Sequence, residues 1–181
     1  MKPTNKQPLF VVTGASGIGK STACECLFAR EKDYIVLESD ICWHEVYNTP
    51  QDQYRAYRQM WLRLCANISQ IGLPCVLCGC NMPEQLEGLE ERALFSAIYY
   101  LAVVGDDACM RRRLTQGRGV TDAAWIESSL HFNRYLRERG DGTNPAITVI
   151  DATHLSPEAT AERIERWIRE KRAQATDRTE E

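Results

Sequence analysis

The chain has 181 residues, 44% hydrophobic and 26% charged, with a formal net charge of −3. That length is most simply one domain around one sizeable core, and the acidic balance gives no support for a large nucleic-acid footprint. No apolar run reaches the roughly 18 residues of a membrane span, and Met1 to Pro8 lacks the apolar core of a signal peptide, so a soluble, cytoplasmic protein with no membrane partner is expected.

In chain order, an apolar run predicts the first strand at Leu9–Thr13. Gly14-Ala15-Ser16-Gly17-Ile18-Gly19-Lys20-Ser21 then matches G-x-x-x-x-G-K-[ST] without a gap. Glycines let the backbone curl so that successive N–H groups point inward at a phosphate chain. A helix expected at Lys20–Arg30 adds the positive end of its dipole. Lys20 would reach the β- and γ-phosphates and Ser21 would ligate Mg²⁺. Gly14 through Ser21, with Thr22, are thus the candidate nucleotide-binding residues.

The second strand is expected at Tyr34–Leu37, leading into Glu38-Ser39-Asp40. A carboxylate twenty residues after Lys20 can orient an acceptor hydroxyl, take its proton or hold the metal. Asp40 is therefore a candidate catalytic, metal and substrate residue. The alternative is an N-cap for the segment starting at Ile41; Glu38 is a weaker candidate. From Pro50 to Ile71 the spacing of Tyr54, Tyr57, Trp61, Leu64, Cys65 and Ile68 predicts a long helix, stopped at Gly72-Leu73-Pro74. Trp43, Arg58 and the Gly79-Cys80-Asn81 turn are candidate acceptor contacts.

The third strand is expected at Cys75–Cys78 and a short helix at Pro83–Arg92. The fourth strand follows at Ile98–Val104 and a helix at Asp106–Leu114. Gly117-Arg118-Gly119 breaks that helix, and another runs over Asp122–Arg139. Arginines flanking glycine hinges read as a mobile lid, about 111–139. Arg118, Arg113 and the returning Arg134 are its candidates for stabilising the charge on a transferring phosphoryl group. The fifth strand is expected at Ala146–Ile150. The loop Asp151-Ala152-Thr153-His154 could wrap a base with Thr153 and His154, or be a plain connection. Ser156-Pro157 opens the last helix, which carries Ile164, Trp167 and Ile168 on one face; the charged tail from about Lys171 is expected to fray.

Eight cysteines are dispersed through these elements, and all are expected to be reduced. Cys75 and Cys78 lie on opposite faces of a strand and cannot converge on one ion. Strand three carries no Walker-B-type aspartate and no N-K-x-D motif follows strand four, which argues against a motor ATPase and a GTPase switch.

Five apolar strands alternating with helices imply a parallel sheet covered on both faces. From Gly14–Ser21, Asp40, Gly117–Gly119 and Asp151–His154, the chain resembles the small P-loop kinases, whose members include shikimate, gluconate, adenylate and chloramphenicol kinases. It is also similar to bacterial AAA-family ATPases and nucleoside-kinase-like proteins. The resemblance implies a three-layer α/β P-loop NTPase fold with sheet order 2-3-1-4-5, a helical lid, ATP and Mg²⁺ as cofactors, and phosphoryl transfer to a small-molecule hydroxyl. The acceptor would be a nucleoside, a sugar acid or an antibiotic. The paired acidic and arginine residues that grip shikimate or a nucleoside monophosphate are not evident. A regulatory nucleotide-binding module is the alternative; a polynucleotide 5′-hydroxyl kinase would need a basic channel that the net charge does not support.

Overall fold

All five residues of β1 (Leu9–Thr13) are buried, because this strand lies at the centre of a sheet covered on both faces. The structure is a computed structural model and describes residues 6–30 and 33–177. β1 pairs in parallel with β3 (Cys75–Cys78) on one side and β4 (Ile98–Val104) on the other. β2 (Ile35–Glu38) and β5 (Ile147–Asp151) form the edges, giving the order β2-β3-β1-β4-β5. The sheet is the parallel α/β arrangement that the alternating pattern implies.

Alternate residues of each central strand feed two different cores. Phe10, Val12, Val76, Cys78, Leu101 and Val103 point to α1 (Lys20–Arg30) and α6 (Pro157–Asp177), where Ile164, Trp167 and Ile168 are buried. Leu9, Val11, Cys75, Leu77, Tyr100 and Ala102 point to α2 (Arg55–Ile68), packing on Tyr57, Trp61, Leu62 and Cys65. Full burial of side chains this size contributes roughly 1.5–3 kcal/mol each. The two cores therefore hold α1 and α2 firmly on opposite faces, with the carboxyl ends of the strands opening between them.

The long helix expected over 50–71 is broken. Pro50–Asp52 forms a 3₁₀ turn, and Gln53 and Tyr54 follow at φ 56° and 58°, both left-handed. No α-helix accommodates two such residues, so α2 begins only at Arg55, and a further 3₁₀ turn, Ser69–Ile71, ends it. Leu64 lies on the outer face; Leu62 fills the inward position. The expected helix over 83–92 is likewise a single turn, α3 (Pro83–Leu86), followed by a 3₁₀ turn at Glu90–Leu94.

α4 (Asp107–Arg112) starts from an Asp106 cap that accepts from the Cys109 amide at 2.6 Å. It widens into a π-helical turn, Arg113–Gly117, a feature concentrated at functional sites. α5 (Ala123–Arg139) starts from Asp122, whose carboxylate accepts from the Ala124 and Trp125 amides. α6 stays helical past Lys171 to Asp177; the remainder of the expected tail, 178–181, lies outside the described residues.

Cys24 on the inner face of α1 and Cys78 at the end of β3 lie side by side, with their Cα atoms 7.2 Å apart. Both point into the same core, which is the geometry that brings them together. Six further cysteines are free thiols. Cys75 points to the opposite face, where its thiol contacts the Cys65 carbonyl at 3.4 Å, so Cys75 and Cys78 do diverge. Among the described residues no helix is long and apolar enough to cross a membrane.

Candidate functional site

The loop between β1 and α1 curls around its own backbone. Gly14, Gly17 and Gly19 all have positive φ. At Gly17 a Cβ would approach Leu114 Cδ2 to 2.6 Å, so this glycine allows the π-helical turn Arg113–Gly117 to rest directly on the loop. The Lys20 ammonium lies within the curl, donating to the Gly14 carbonyl at 2.7 Å and the Ala15 carbonyl at 3.0 Å. Ser21 and Thr22, on the first turn of α1, are exposed.

Two arginines, Arg113 on the π-helical turn and Arg118 just after it, reach back to the loop. Arg113 donates to the Ile18 carbonyl at 2.5 Å and to the Ala152 carbonyl at 3.0 Å, bridging the loop and the β5 exit. Arg118 donates to the Ser16 hydroxyl at 2.8 Å. Beside them lies a cavity of about 510 Å³ lined by Ser16 through Thr22, Asp40, Cys80, Arg113, Gly117, Arg118, Leu155, Pro157 and Thr160. Three cationic side chains, a row of loop amides and one carboxylate thus face a single space.

Asp40 occupies the 3₁₀ turn Ser39–Cys42 after β2. The N-cap position there belongs to Glu38, with no side-chain cap bond, so the capping alternative for Asp40 does not hold. The turn is pinned from two sides. The Tyr57 hydroxyl on α2 donates to the Ser39 carbonyl, and burial pushes that phenol above its ordinary pKa. A Cβ at Gly79 would overlap the Ser39 hydroxyl, so any larger residue there would force that hydroxyl to turn away.

The Arg58 guanidinium, 5% exposed, holds the next turn. It donates to the Asn81 side-chain oxygen, to the Cys80 carbonyl at 3.3 Å and to the Gln53 carbonyl at 3.0 Å. Burial pulls its pKa below the usual arginine value, and the three oxygens replace the water it has lost. The Asn81 amide N–H in turn donates to the Thr13 hydroxyl at 3.2 Å, tying this turn to the end of β1. Arg58, Gly79 and Asn81 therefore build the wall rather than line the cavity. Trp43 lies edge-on to Tyr54 and Tyr57, with ring centroids 5.7 and 5.1 Å away.

Trp43 is not among the residues lining the cavity, and neither are Arg134, Thr153 and His154. Arg134 is engaged by Asp107, with contacts of 2.7 and 2.5 Å. The Thr153 hydroxyl accepts from the Asp106 amide at 2.8 Å, and the exposed His154 lines a separate cleft of about 330 Å³ with Asp106, Asp151 and Arg163. Sequence reasoning missed Asn133, which is fully buried. Its side-chain amide makes reciprocal bonds of 3.0 and 2.7 Å to the Gly105 backbone, clamping α5 to the β4 exit. An amide on the inward face of an otherwise apolar helix was the available signal.

No family model matches the chain, and no curated protein matches it. Among solved structures, a sugar kinase from a Janibacter species is 18% identical over 90% of this chain and 94% of its own, at a TM-score of 0.63. A tunicamycin resistance protein from Deinococcus radiodurans is 17% identical over 90% and 96%, at 0.61. A gluconokinase from Sinorhizobium meliloti is 14% identical over 92% and 97%, at 0.54. The strand order, the helices on both faces and these likenesses establish the fold: an α/β P-loop domain built like the small-molecule P-loop kinases.

Proposed function

We propose that the protein transfers the γ-phosphate of ATP to a hydroxyl group of a small molecule. The observation that supports this reading is that Asp40 lines the same cavity as Lys20, Ser21 and Arg118. A carboxylate so placed can orient an acceptor hydroxyl and take its proton, the part a phosphotransferase needs beyond the phosphate loop. Two of the similar solved structures are named as a sugar kinase and a gluconokinase, in keeping with this reading.

In the reaction the acceptor oxygen attacks the γ-phosphorus in line, and a new P–O bond forms. The bond from that phosphorus to the β–γ bridging oxygen breaks, and ADP leaves. The proton of the acceptor hydroxyl passes to the Asp40 carboxylate. Lys20 and Arg118 donate to the γ-oxygens, on which negative charge is spread in the transition state. Residues 111–139 act as the lid, with Gly117 and Gly119 as the flexible points. Arg113 holds the loop to the β5 exit, where the base would lie.

Mg²⁺ fits the donor set. The described residues contain no group of three or more metal-ligating acidic, cysteine or histidine side chains, yet Ser21 and Asp40 share the cavity. One hydroxyl and one carboxylate beside a phosphate chain suit a cation that keeps several waters and phosphate oxygens. When bound, it would neutralise charge on the β- and γ-oxygens.

The test is ATP turnover with and without a panel of hydroxyl compounds, with phosphate ester detected by ³¹P NMR. Stimulation by a compound that gains the phosphate supports the proposal. If no compound stimulates turnover and Asp40→Asn leaves basal hydrolysis unchanged, the protein is a nucleotide-binding module and not a kinase.

A further inference from the structure

The wall that continues from Asp40 away from the phosphates has its own chemistry. Ile41 is 73% exposed, Trp43 46% and Val46 69%. These large apolar side chains stand within six residues of the candidate base, where an average surface turn would be polar. Trp43 is not a loose surface ring: it leans edge-on against Tyr54 and Tyr57, and the Tyr57 hydroxyl holds the carbonyl of Ser39, the residue before Asp40. An aromatic platform is thereby tied to the carboxylate that would orient the acceptor.

Charge on this wall runs against an anionic acceptor. From Glu38 to Arg58 there are four carboxylates, Glu38, Asp40, Glu45 and Asp52, against Arg55 and Arg58. The Arg58 guanidinium is committed inside the wall to Gln53, Cys80 and Asn81. His44 accepts from the Val46 amide at Nδ1, at 3.2 Å. The remaining cations of the cavity, Lys20, Arg113 and Arg118, belong to the phosphate side.

Resting on the phosphotransferase reading, we propose that the acceptor is an uncharged or cationic hydroxyl compound with a planar or apolar body. Its ring packs on Trp43 and its hydroxyl reaches Asp40. A carboxylate or phosphate on the acceptor is disfavoured, because this stretch sets four carboxylates against a single exposed guanidinium, that of Arg55. Phosphate transfer follows the balance already described, with the acceptor proton going to Asp40.

The test separates binding from turnover. The full chain with MgADP is titrated by ligand-observed NMR with three matched aromatic alcohols, phenylalaninol, 3-phenyl-1,2-propanediol and 3-phenyllactate, and with gluconate. The amine and the neutral diol are expected to bind at least about tenfold more tightly than phenyllactate, about 1.4 kcal/mol in these terms, with gluconate weaker still. Trp43→Ala should weaken the diol about tenfold, and Glu45→Lys should narrow the gap to phenyllactate. Ile41→Ser and Val46→Ser, on exposed positions, repeat the test should Trp43→Ala fail to fold. Phenyllactate or gluconate binding as tightly as the diol, no binding by the diol and the amine, or wild-type binding in every wall variant overturns the proposal. Binding in the expected order without phosphate ester from ATP upholds the wall's selectivity and removes the kinase reading. Phosphorylation of gluconate alone does the reverse.

Discussion

The two halves of the cavity are built in opposite ways. On the donor side, eight consecutive residues form the loop, and their chemistry resides in backbone amides and one lysine. On the acceptor side, Asp40 is set by residues far apart in the chain: Tyr57 through the Ser39 carbonyl, and Gly79 through contact with the Ser39 hydroxyl. Arg58 holds the adjoining turn through Cys80 and Asn81. Neighbouring residues of α2, Tyr57 and Arg58, thus secure the β2 and β3 exits. A contiguous loop tolerates drift in the rest of the sequence because its geometry is local. An assembled wall depends on a helix being docked at one register, and it can change its acceptor by changing exposed residues without disturbing that register.

The contrast can be broken at either half. Lys20→Ala should have the largest effect on turnover, a loss of about 10³-fold or more with the circular dichroism spectrum unchanged; retained turnover would show that the loop does not carry the chemistry. Asp40→Asn should lower acceptor-dependent turnover by about 10²- to 10⁴-fold with a much smaller loss of MgATP affinity, measured by titration, since Ser21 and the phosphates still hold the cation. A large loss of nucleotide affinity instead would move Asp40 from the acceptor half to the donor half.

The assembled wall makes two stability predictions. Arg58→Met removes a buried guanidinium and strands the Asn81 oxygen, at an expected cost of about 2–3 kcal/mol in urea unfolding. Arg58→Lys should recover little, because one ammonium cannot reproduce the forked set of bonds to three oxygens. Gly79→Ala places a methyl group against the Ser39 hydroxyl and should cost about 1–3 kcal/mol. Adding Ser39→Ala should return part of that loss, and strict additivity in the double-mutant cycle would deny the contact.

The smallest effect is expected at Arg134. Its guanidinium beside Asp107 holds that carboxyl below its ordinary pKa. A lowered carboxylate pKa contributes stability above the unfolded value, near pH 4, and loses it as pH falls through the folded value. The pair is well exposed, so Arg134→Ala should lower Tm at pH 7 by only about 2 °C or less, and the difference should vanish below about pH 3. A loss of turnover as large as that of Lys20→Ala would instead return Arg134 to the catalytic set.

Much of the scaffold was legible because its signals are local and redundant. β1, β3, β4 and α1 fall on their expected bounds, where apolar runs meet glycines. The 50–71 segment was misread because apolar periodicity continues through Tyr54, while the left-handed Gln53 and Tyr54 are held by contacts from Arg58 and Trp43. Nothing in residues 53–54 announces that conformation. Arg58 and Asn81 are expected from the sequence as acceptor contacts, but their bond to each other joins residues 23 apart that carry no joint signal. The proximity of Cys24 and Cys78 was missed because two positions 54 residues apart carry no joint signal until α1 is laid on β3.

By itself, the sequence determined the phosphate loop, the alternation of strand and helix, and the presence of a carboxylate after β2, since each rests on residue types at short spacing. Only the tertiary structure decided which arginines reach the cavity, which are consumed in holding it, and what stands beside Asp40. Those outcomes depend on the docking of α2, α4 and α5 against the strand ends, and docking is set by the fit of two cores whose partners lie far apart in the chain.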